Sequence, residues 1–355
     1  MNVAVIGLGM GRHHLDHYLE DPRCTVVAIA DPDPDRLREI AEKHHIPNTY
    51  ADGAQLLESE RLDAVSIATP NNLHCRLALK AFEKGAHVLT EKPMATNVRD
   101  AIAMRDAARK ADRNLMVNFS YRFSGMSQAL KEQVDAGVLG DIYFGRTVWH
   151  RRRGMPGFGG WFSDKEQAGG GPLIDLGVHR IDLALWFMGH PEPVSVCGST
   201  YDIIAADVSR REGKAFSVED LACGMVKFAN GATLMIETSW ALQINEPERM
   251  LTELYGPRGS LVQRNIDGDY TMGAELHVEE DGNFYTKTLD HSGMSPPSSY
   301  AEFVDSIDEG RQPSASADHG LAVQRIIEGL YDSARNGQVV TLESESAITG
   351  STAVP

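Results

Sequence analysis

The sequence contains no stretch of roughly 18 consecutive apolar residues, so no membrane-spanning helix is expected. It also lacks a signal-peptide core: the first apolar segment is broken by glycines and then by Arg12, His13 and His14, and export is not expected. Cysteine is scarce. The four present, Cys24, Cys75, Cys197 and Cys223, show no C-x-x-C spacing, which fits buried thiols in a reducing cytoplasm rather than a disulfide framework. Basic residues are outnumbered, 34 Lys and Arg against 50 Asp and Glu, for a formal net charge of −16. That balance argues against a nucleic-acid or anionic-membrane surface, though not against a local basic pocket for a small anion. His13 and His17 stand four apart and His44 adjoins His45, but no third ligand accompanies either pair. No metal site is expected.

What remains is an ordinary globular composition, 42% hydrophobic and 24% charged, in 355 residues. That length points to two domains. Up to about residue 120, short β-branched runs alternate with segments of helical periodicity. The runs are VAVIG (3–7), TVVAIA (25–30), DAVSIAT (63–69), AHVLTE (86–91) and LMVNFS (115–120). Continuous apolar strands separated by helices predict a doubly wound parallel sheet covered on both faces. Beyond residue 140 the pattern changes to hairpins, with tight turns at Asn230-Gly231 and Asp281-Gly282. The second half therefore reads as an α+β domain built on an antiparallel sheet, followed by a helical segment near 299–336. The expected division is 1–121, 122–342 and a disordered tail at 343–355.

Three motifs carry chemistry. The first strand runs into Gly7-Leu8-Gly9-Met10-Gly11, one residue shorter than the usual G-x-G-x-x-G, at a helix start suited to a diphosphate. Asp31 ends the next strand, 22 residues after Gly9, at the spacing of a carboxylate that accepts from ribose hydroxyls and repels a 2′-phosphate. NAD is thus preferred over NADP, with Arg36 a potential offset; a plainer reading makes Asp31 a turn or helix-capping residue. In VLTEKPMA (88–95) a strand ends in Glu91-Lys92-Pro93, at the sheet edge where ligands bind. Partial desolvation there suits Lys92 to proton transfer, and a cis Lys92–Pro93 bond would aim it into the cleft; a surface Glu91–Lys92 ion pair is the alternative. In GGGPLIDLGVHRID (169–182), Asp175 and His179 are four apart on one helix face, with Asp182 three further on. A carboxylate beside an imidazole is what a general acid/base needs, although such pairs are also common structural contacts.

The chain resembles the Gfo/Idh/MocA oxidoreductases over nearly its whole length. The diagnostic segments are ATPNNLH (68–74), EKP (91–93), NFSYRF (118–123), GGGPLIDLGVHRID (169–182) and the closing stretch 299–338. The resemblance implies an N-terminal Rossmann domain and a C-terminal α+β domain with a large, mostly antiparallel open sheet. The exposed face of that sheet makes homodimers or homotetramers in the family. It implies NAD-dependent oxidation of a secondary hydroxyl on a sugar, inositol or related polyol. By position, Gly7, Gly9, Met10, Gly11 and Asp31 hold the cofactor. Thr69, Pro70, Asn71, His74, Glu91, Lys92, Asn118 and Trp161 line its nicotinamide side. Lys92, Asp175 and His179 are the implied catalytic residues, with His179 taking the hydroxyl proton and Lys92 bonded to the same oxygen. Arg122 is a further expected substrate contact, and WHRRRGMPGFGGWF (149–162) reads as a loop over the sugar with Arg152, Arg153 or Trp161 meeting it; the alternative is a strand end whose arginines are solvated or pair across a subunit interface. Phe162 stands where several relatives carry arginine. Two rival readings exist within the fold: a redox-neutral NAD-dependent glycosidase and a non-catalytic NAD-binding regulator.

Overall fold

A computed structural model describes residues 1–290 and 296–343, so the expected tail from residue 344 onward lies outside the described residues. The chain divides into two compact units, Met1–Ser120 with Pro297–Gln324, and Tyr121–Pro296 with Arg325–Pro355.

In the first unit six strands lie parallel: β1 (Asn2–Ile6), β2 (Thr25–Ala30), β3 (Asn48–Tyr50), β4 (Ala64–Ile67), β5 (His87–Thr90) and β6 (Leu115–Val117). Their order is β3-β2-β1-β4-β5-β6, which reverses direction between β1 and β4. The interleaved helices are α1 (Gly11–Glu20), α2 (Pro34–His44), α3 (Gly53–Ser59), α4 (His74–Glu83) and α5 (Val98–Ala111). All four residues of β4 and the last four of β1 are buried, which is why these strands read as continuous apolar runs rather than alternations. Strand β3 and helix α3 left no such run in the sequence; β3 is three half-exposed or exposed residues that form a strand by pairing with β2. The carboxyl ends of β1, β2, β4, β5 and β6 carry the Gly7, Asp31, Thr69, Glu91 and Asn118 segments, placing every N-terminal motif on one edge of one sheet.

The second unit holds α6 (Gly125–Asp135), β7 (Phe144–Arg151), α7 (Lys165–Ala168), α8 (Val178–Phe187), β8 (Pro193–Tyr201) and α9 (Ile203–Glu212). It continues through β9 (Leu221–Phe228), β10 (Thr233–Ser239), β11 (Glu248–Tyr255), β12 (Gly259–Asn265), β13 (Met272–Glu280) and β14 (Asn283–Thr288). After α10 (Ser299–Asp308) and α11 (Ala317–Asn336), a short β15 (Val340–Thr341) completes a nine-stranded sheet ordered β14-β13-β12-β11-β7-β10-β9-β8-β15. Every pairing in it is antiparallel except β7 with β10, which is parallel. The Asn230-Gly231 and Asp281-Gly282 turns join β9 to β10 and β13 to β14 as expected, with Asp281 and both glycines at positive φ. Burial alternates along β10: Leu234 and Ile236 face the core, while Met235 and Glu237 on the other face are half-exposed.

The helical segment near 299–336 is two helices, and α10 clusters with the first unit, not with the second where the sequence division had put it. Asn114 fixes it there by donating to Ser306 Oγ and to the Arg311 carbonyl, both at 3.0 Å. The unit boundary falls inside α11, after Gln324. Among the described residues no helix is long and apolar enough to cross a membrane.

Candidate active site

In the first unit the glycine loop is built by close approach. Gly7 has φ of +89°, and a Cβ there would sit 2.5 Å from the Ala68 carbonyl oxygen, so only glycine lets the β1 and β4 loop ends touch. Gly11 opens α1 with its would-be Cβ 2.9 Å from Val5 Cγ1, which brings the helix onto the strand one position earlier than the usual motif does. Over Gly9, by contrast, nothing lies within 4 Å. Met10 is exposed and Leu8 fully buried, so the loop alternates between anchoring to the core and facing outward. Asp31 is 3% exposed: Oδ2 accepts from the Leu8 N–H at 2.7 Å and Oδ1 from the Asp33 N–H at 2.9 Å. Arg36 Nη1 reaches both oxygens, at 3.2 and 3.3 Å, so the offset foreseen for Arg36 is physically present. The cap of α2 is Asp33, not Asp31.

The segments that follow β5 and β6 form one polar cluster with α1 and α10. The Lys92–Pro93 peptide bond is cis. Glu91 Oε1 accepts from His14 Nε2 at 2.8 Å and from Asn118 Nδ2 at 2.7 Å, while Oε2 accepts from the Lys92 N–H at 3.2 Å. Burial alone would raise the Glu91 carboxyl, but the His14 bond and charge, Lys92 and Asn118 together hold it at about 2. Glu91 is therefore a carboxylate that shapes the loop. Asn118 Nδ2 also reaches Tyr300 Oη at 3.4 Å, which turns its buried Oδ1 away from any protein donor among the described residues. Tyr300 stacks on His17 at 4.3 Å between centroids and meets His14 edge-on at 4.8 Å. His14 and Tyr300 carried no signal in the sequence, since their partners lie 77 and 182 positions away.

His74 is a correction. It is fully buried, with Nδ1 2.9 Å from the Pro93 carbonyl and Nε2 3.0 Å from that of Thr69, and burial pushes its pKa down. A neutral ring donates to one of these two carbonyls, and full burial leaves no ring atom open, so His74 packs between the two loops rather than touching a cofactor. Thr69 bonds its own neighbour, the Pro70 carbonyl, and Asn71 is buried in the short 3₁₀ turn that leads into α4.

The second unit presents Asp175 and His179 from different local structure than the single α-helix expected. Leu173–Gly177 is a π-helical turn carrying Asp175, and α8 starts immediately after it with His179 in its first turn. Gly171, just upstream, would place a Cβ 2.0 Å from the Glu219 carbonyl oxygen. The buried Glu219 carboxylate accepts from the Gly171 N–H at 2.9 Å, the Leu173 N–H at 3.2 Å and Tyr331 Oη at 2.8 Å. The triple glycine is thus explained by a tight clamp that fixes where the turn begins. Asp175 Oδ2 accepts from Trp240 Nε1 at 3.0 Å. His179 packs against Tyr121 and Trp149, at centroid distances of 5.1 and 5.7 Å, and the Arg180 guanidinium lies over both of those rings. Trp149, Leu176, Val218, Trp240 and Met250 form the apolar floor beneath.

One expected substrate contact is overturned. Arg122 is 1% exposed and bound to Asp182, Nε to Oδ2 at 2.8 Å and Nη2 to Oδ1 at 2.5 Å, so it is a buried structural cation. The same bond takes Asp182 away from the acid/base role suggested by its spacing to His179. Arg152 is exposed and donates to the Asn245 carbonyl at 3.1 Å; its neighbour Arg151 is the one directed to the interior, onto Glu248. Trp161 stacks on Phe162 at 3.8 Å in a 3₁₀ turn, and Phe162 in turn packs on the aromatic floor. The four cysteines are free thiols, and no group of three or more metal-ligating side chains converges among the described residues.

These features fit a dinucleotide: clear space over Gly9 for a pyrophosphate, Asp31 at the end of β2, and an orphaned amide oxygen on Asn118 for a donor such as a carboxamide. Comparison with known proteins agrees. Residues 1–119 match the oxidoreductase family with NAD-binding Rossmann fold, Gfo/Idh/MocA, and residues 131–342 match its C-terminal alpha/beta domain. D-glucoside 3-dehydrogenase of Escherichia coli K12 is 33% identical, over 96% of this chain and 97% of its own. Myo-inositol 2-dehydrogenase of Thermotoga maritima is 28% identical, over 90% and 92%. A levoglucosan dehydrogenase solved in complex with NADH superposes with a TM-score of 0.85 at 25% identity, over 97% of this chain and 99% of that one. The chain belongs to the Gfo/Idh/MocA family of oxidoreductases, an NAD-binding Rossmann domain followed by that family's C-terminal alpha/beta domain.

Proposed function

We propose that the protein is an NAD-dependent dehydrogenase that oxidises a secondary hydroxyl of a neutral sugar or polyol. One observation carries the substrate class: the Asp175 carboxylate and the His179 imidazole emerge from a wall of aromatic rings, Tyr121, Trp149 and Trp240. Of these rings Tyr121 is half-exposed and offers surface to the C–H groups of a sugar, while the buried Trp149 and Trp240 back the polar tips that meet its hydroxyls. The named activities of the glucoside, inositol and levoglucosan dehydrogenases support the same class.

Gly7, Gly9, Met10 and Gly11 would hold the pyrophosphate, Asp31 the ribose, and Thr69, Asn71, Asn118 and Trp161 the nicotinamide side. Bound NAD supplies the hydride acceptor. His179 removes the hydroxyl proton, Lys92 donates a hydrogen bond to the same oxygen, and Asp175 orients the hydroxyl. Glu91, His14 and Asn118 fix the Lys92 backbone, and His74 ties the Lys92-Pro93 loop to Thr69. The Asp31 carboxylate disfavours a 2′-phosphate, so NAD is preferred over NADP. The half-exposed sheet face bearing Met225, Met235, Leu251 and Val262 is suited to pairing copies of the chain as a homodimer or homotetramer. The free, scattered thiols suit the cytoplasm.

The test is reduction of NAD and NADP over a panel of inositols, aldoses and glycosides. Accumulating NADH, with a strong preference for NAD, is the expected result; glycoside cleavage without net NADH would point to the redox-neutral chemistry instead. Lys92→Ala and His179→Ala should each cut kcat by roughly 10²–10⁴ while NAD still binds. Wild-type turnover in either variant would remove that residue from the mechanism.

A further inference from the structure

The end of β7 and the start of β11 hold a polar cluster that the chemistry above leaves unused. Arg151 pairs with Glu248 across the two strands, and Trp149 with Met250, so these four side chains share one sheet face. It is the face on which α8 lies, since the Arg180 guanidinium covers the Trp149 ring at 5.2 Å. Glu248 Oε1 accepts three hydrogen bonds, from Trp149 Nε1 at 2.5 Å, Arg151 Nε at 2.8 Å and Tyr270 Oη at 3.2 Å. Arg151 Nη2 also donates to Tyr270 Oη, at 2.9 Å. All three bonds to Glu248 fall on one carboxylate oxygen. Oε2 has no hydrogen-bond partner among the described residues, and the Glu248 side chain is 11% exposed.

A carboxylate anchored by three donors on one oxygen is rigid, and its second oxygen keeps its lone pairs for a further donor. Arg151 offsets the Glu248 charge, so the cluster suits neutral hydroxyls better than phosphate or carboxylate groups. It also adjoins the reacting group: the Trp149 ring that donates to Glu248 is the ring that packs on His179, and Tyr270 meets that same ring edge-on at 6.4 Å. Adjacent ring hydroxyls match it, one donating to Oε2 and the next accepting from Arg151, with the C–H face laid on the exposed Tyr270 ring.

We propose that Glu248, supported by Arg151 and Tyr270, determines specificity by gripping hydroxyls of the sugar ring away from the carbon being oxidised. The proposal rests on the dehydrogenase reading above. It is tested by steady-state kinetics of the full-length enzyme with NAD, using methyl glucoside and its monodeoxy analogues. Glu248→Gln should raise KM for methyl glucoside about tenfold or more, change kcat little, and leave the NAD Kd unaltered. One monodeoxy analogue should show the same loss with the wild type and no further loss with Glu248→Gln, the signature of a shared contact. Tyr270→Phe, at a partly exposed ring that need not perturb folding, should show a smaller KM effect coupled to the same analogue. Losses that simply add for every analogue, or an unchanged KM, would overturn the subsite while leaving the dehydrogenase intact. A wild type that oxidises no sugar or polyol would overturn the underlying reading and the subsite with it.

Discussion

Replacing Arg122 by methionine separates a substrate-binding arginine from a structural one. Its guanidinium is 1% exposed, bound through Nε and Nη2 to an Asp182 that is equally buried, and lies 5.9 Å from the centre of the Trp186 ring. Burial already pushes the Asp182 carboxyl up, against the pull of Arg122, so the charge is tolerated only because its partner is present. Removing one member of such a pair costs about 3–5 kcal/mol, because the other charge is left without compensation. For a unit of this size that corresponds to a fall in Tm of roughly 6–20 °C. Arg122→Met with Asp182→Leu should recover most of the loss, since neither charge then remains buried. Thermal unfolding by circular dichroism, beside sugar KM for both variants, reads the two roles separately. A single variant with wild-type Tm and a raised KM would refute the assignment and return Arg122 to the substrate site.

Glu91 gives a pH signature. Its folded pKa, about 2, lies below the unfolded value, so its contribution is fully present above about pH 4.3 and is lost as pH falls toward 2. Wild type should exceed Glu91→Gln in stability by about 3 kcal/mol from the pair and its neighbours near neutrality, the gap closing across that window; parallel acid unfolding curves would contradict it. Gly171→Ala should destabilise by about 1–3 kcal/mol and lower kcat, because its Cβ meets a backbone carbonyl just ahead of the Asp175 turn. Gly9→Ala should leave Tm nearly unchanged yet weaken NAD binding, measured by nucleotide fluorescence, because the added methyl meets no protein atom and fills only the space over the loop.

Much of the fold was legible because it is written locally. Strands buried on both faces read as apolar runs, and the two Asx-Gly turns announce their hairpins from two residues each. Gly7, Asp31, Lys92 and Asn118 could be placed on one sheet edge since each simply follows a strand. The errors have a common origin. The π-helical turn under Asp175 looks like ordinary helix to any periodicity argument, and β3 becomes a strand only by pairing with β2. Arg122 was assigned to substrate, whereas burial beside Asp182 turned it inward.

Alone, the sequence determined the alternation of buried parallel strands with helices and the later hairpins, the glycine loop with its acidic partner, and the lysine, aspartate and histidine of the proposed chemistry. Those features depend on spacing along the chain and on which residues a turn or strand accepts. Tertiary structure decided which polar groups meet: His14 with Glu91, Asn118 with Tyr300, Arg122 with Asp182, and Trp149 with Glu248. These partners lie from 60 to 182 positions apart. A buried donor must find its acceptor wherever packing brings one, and no local pattern records that choice.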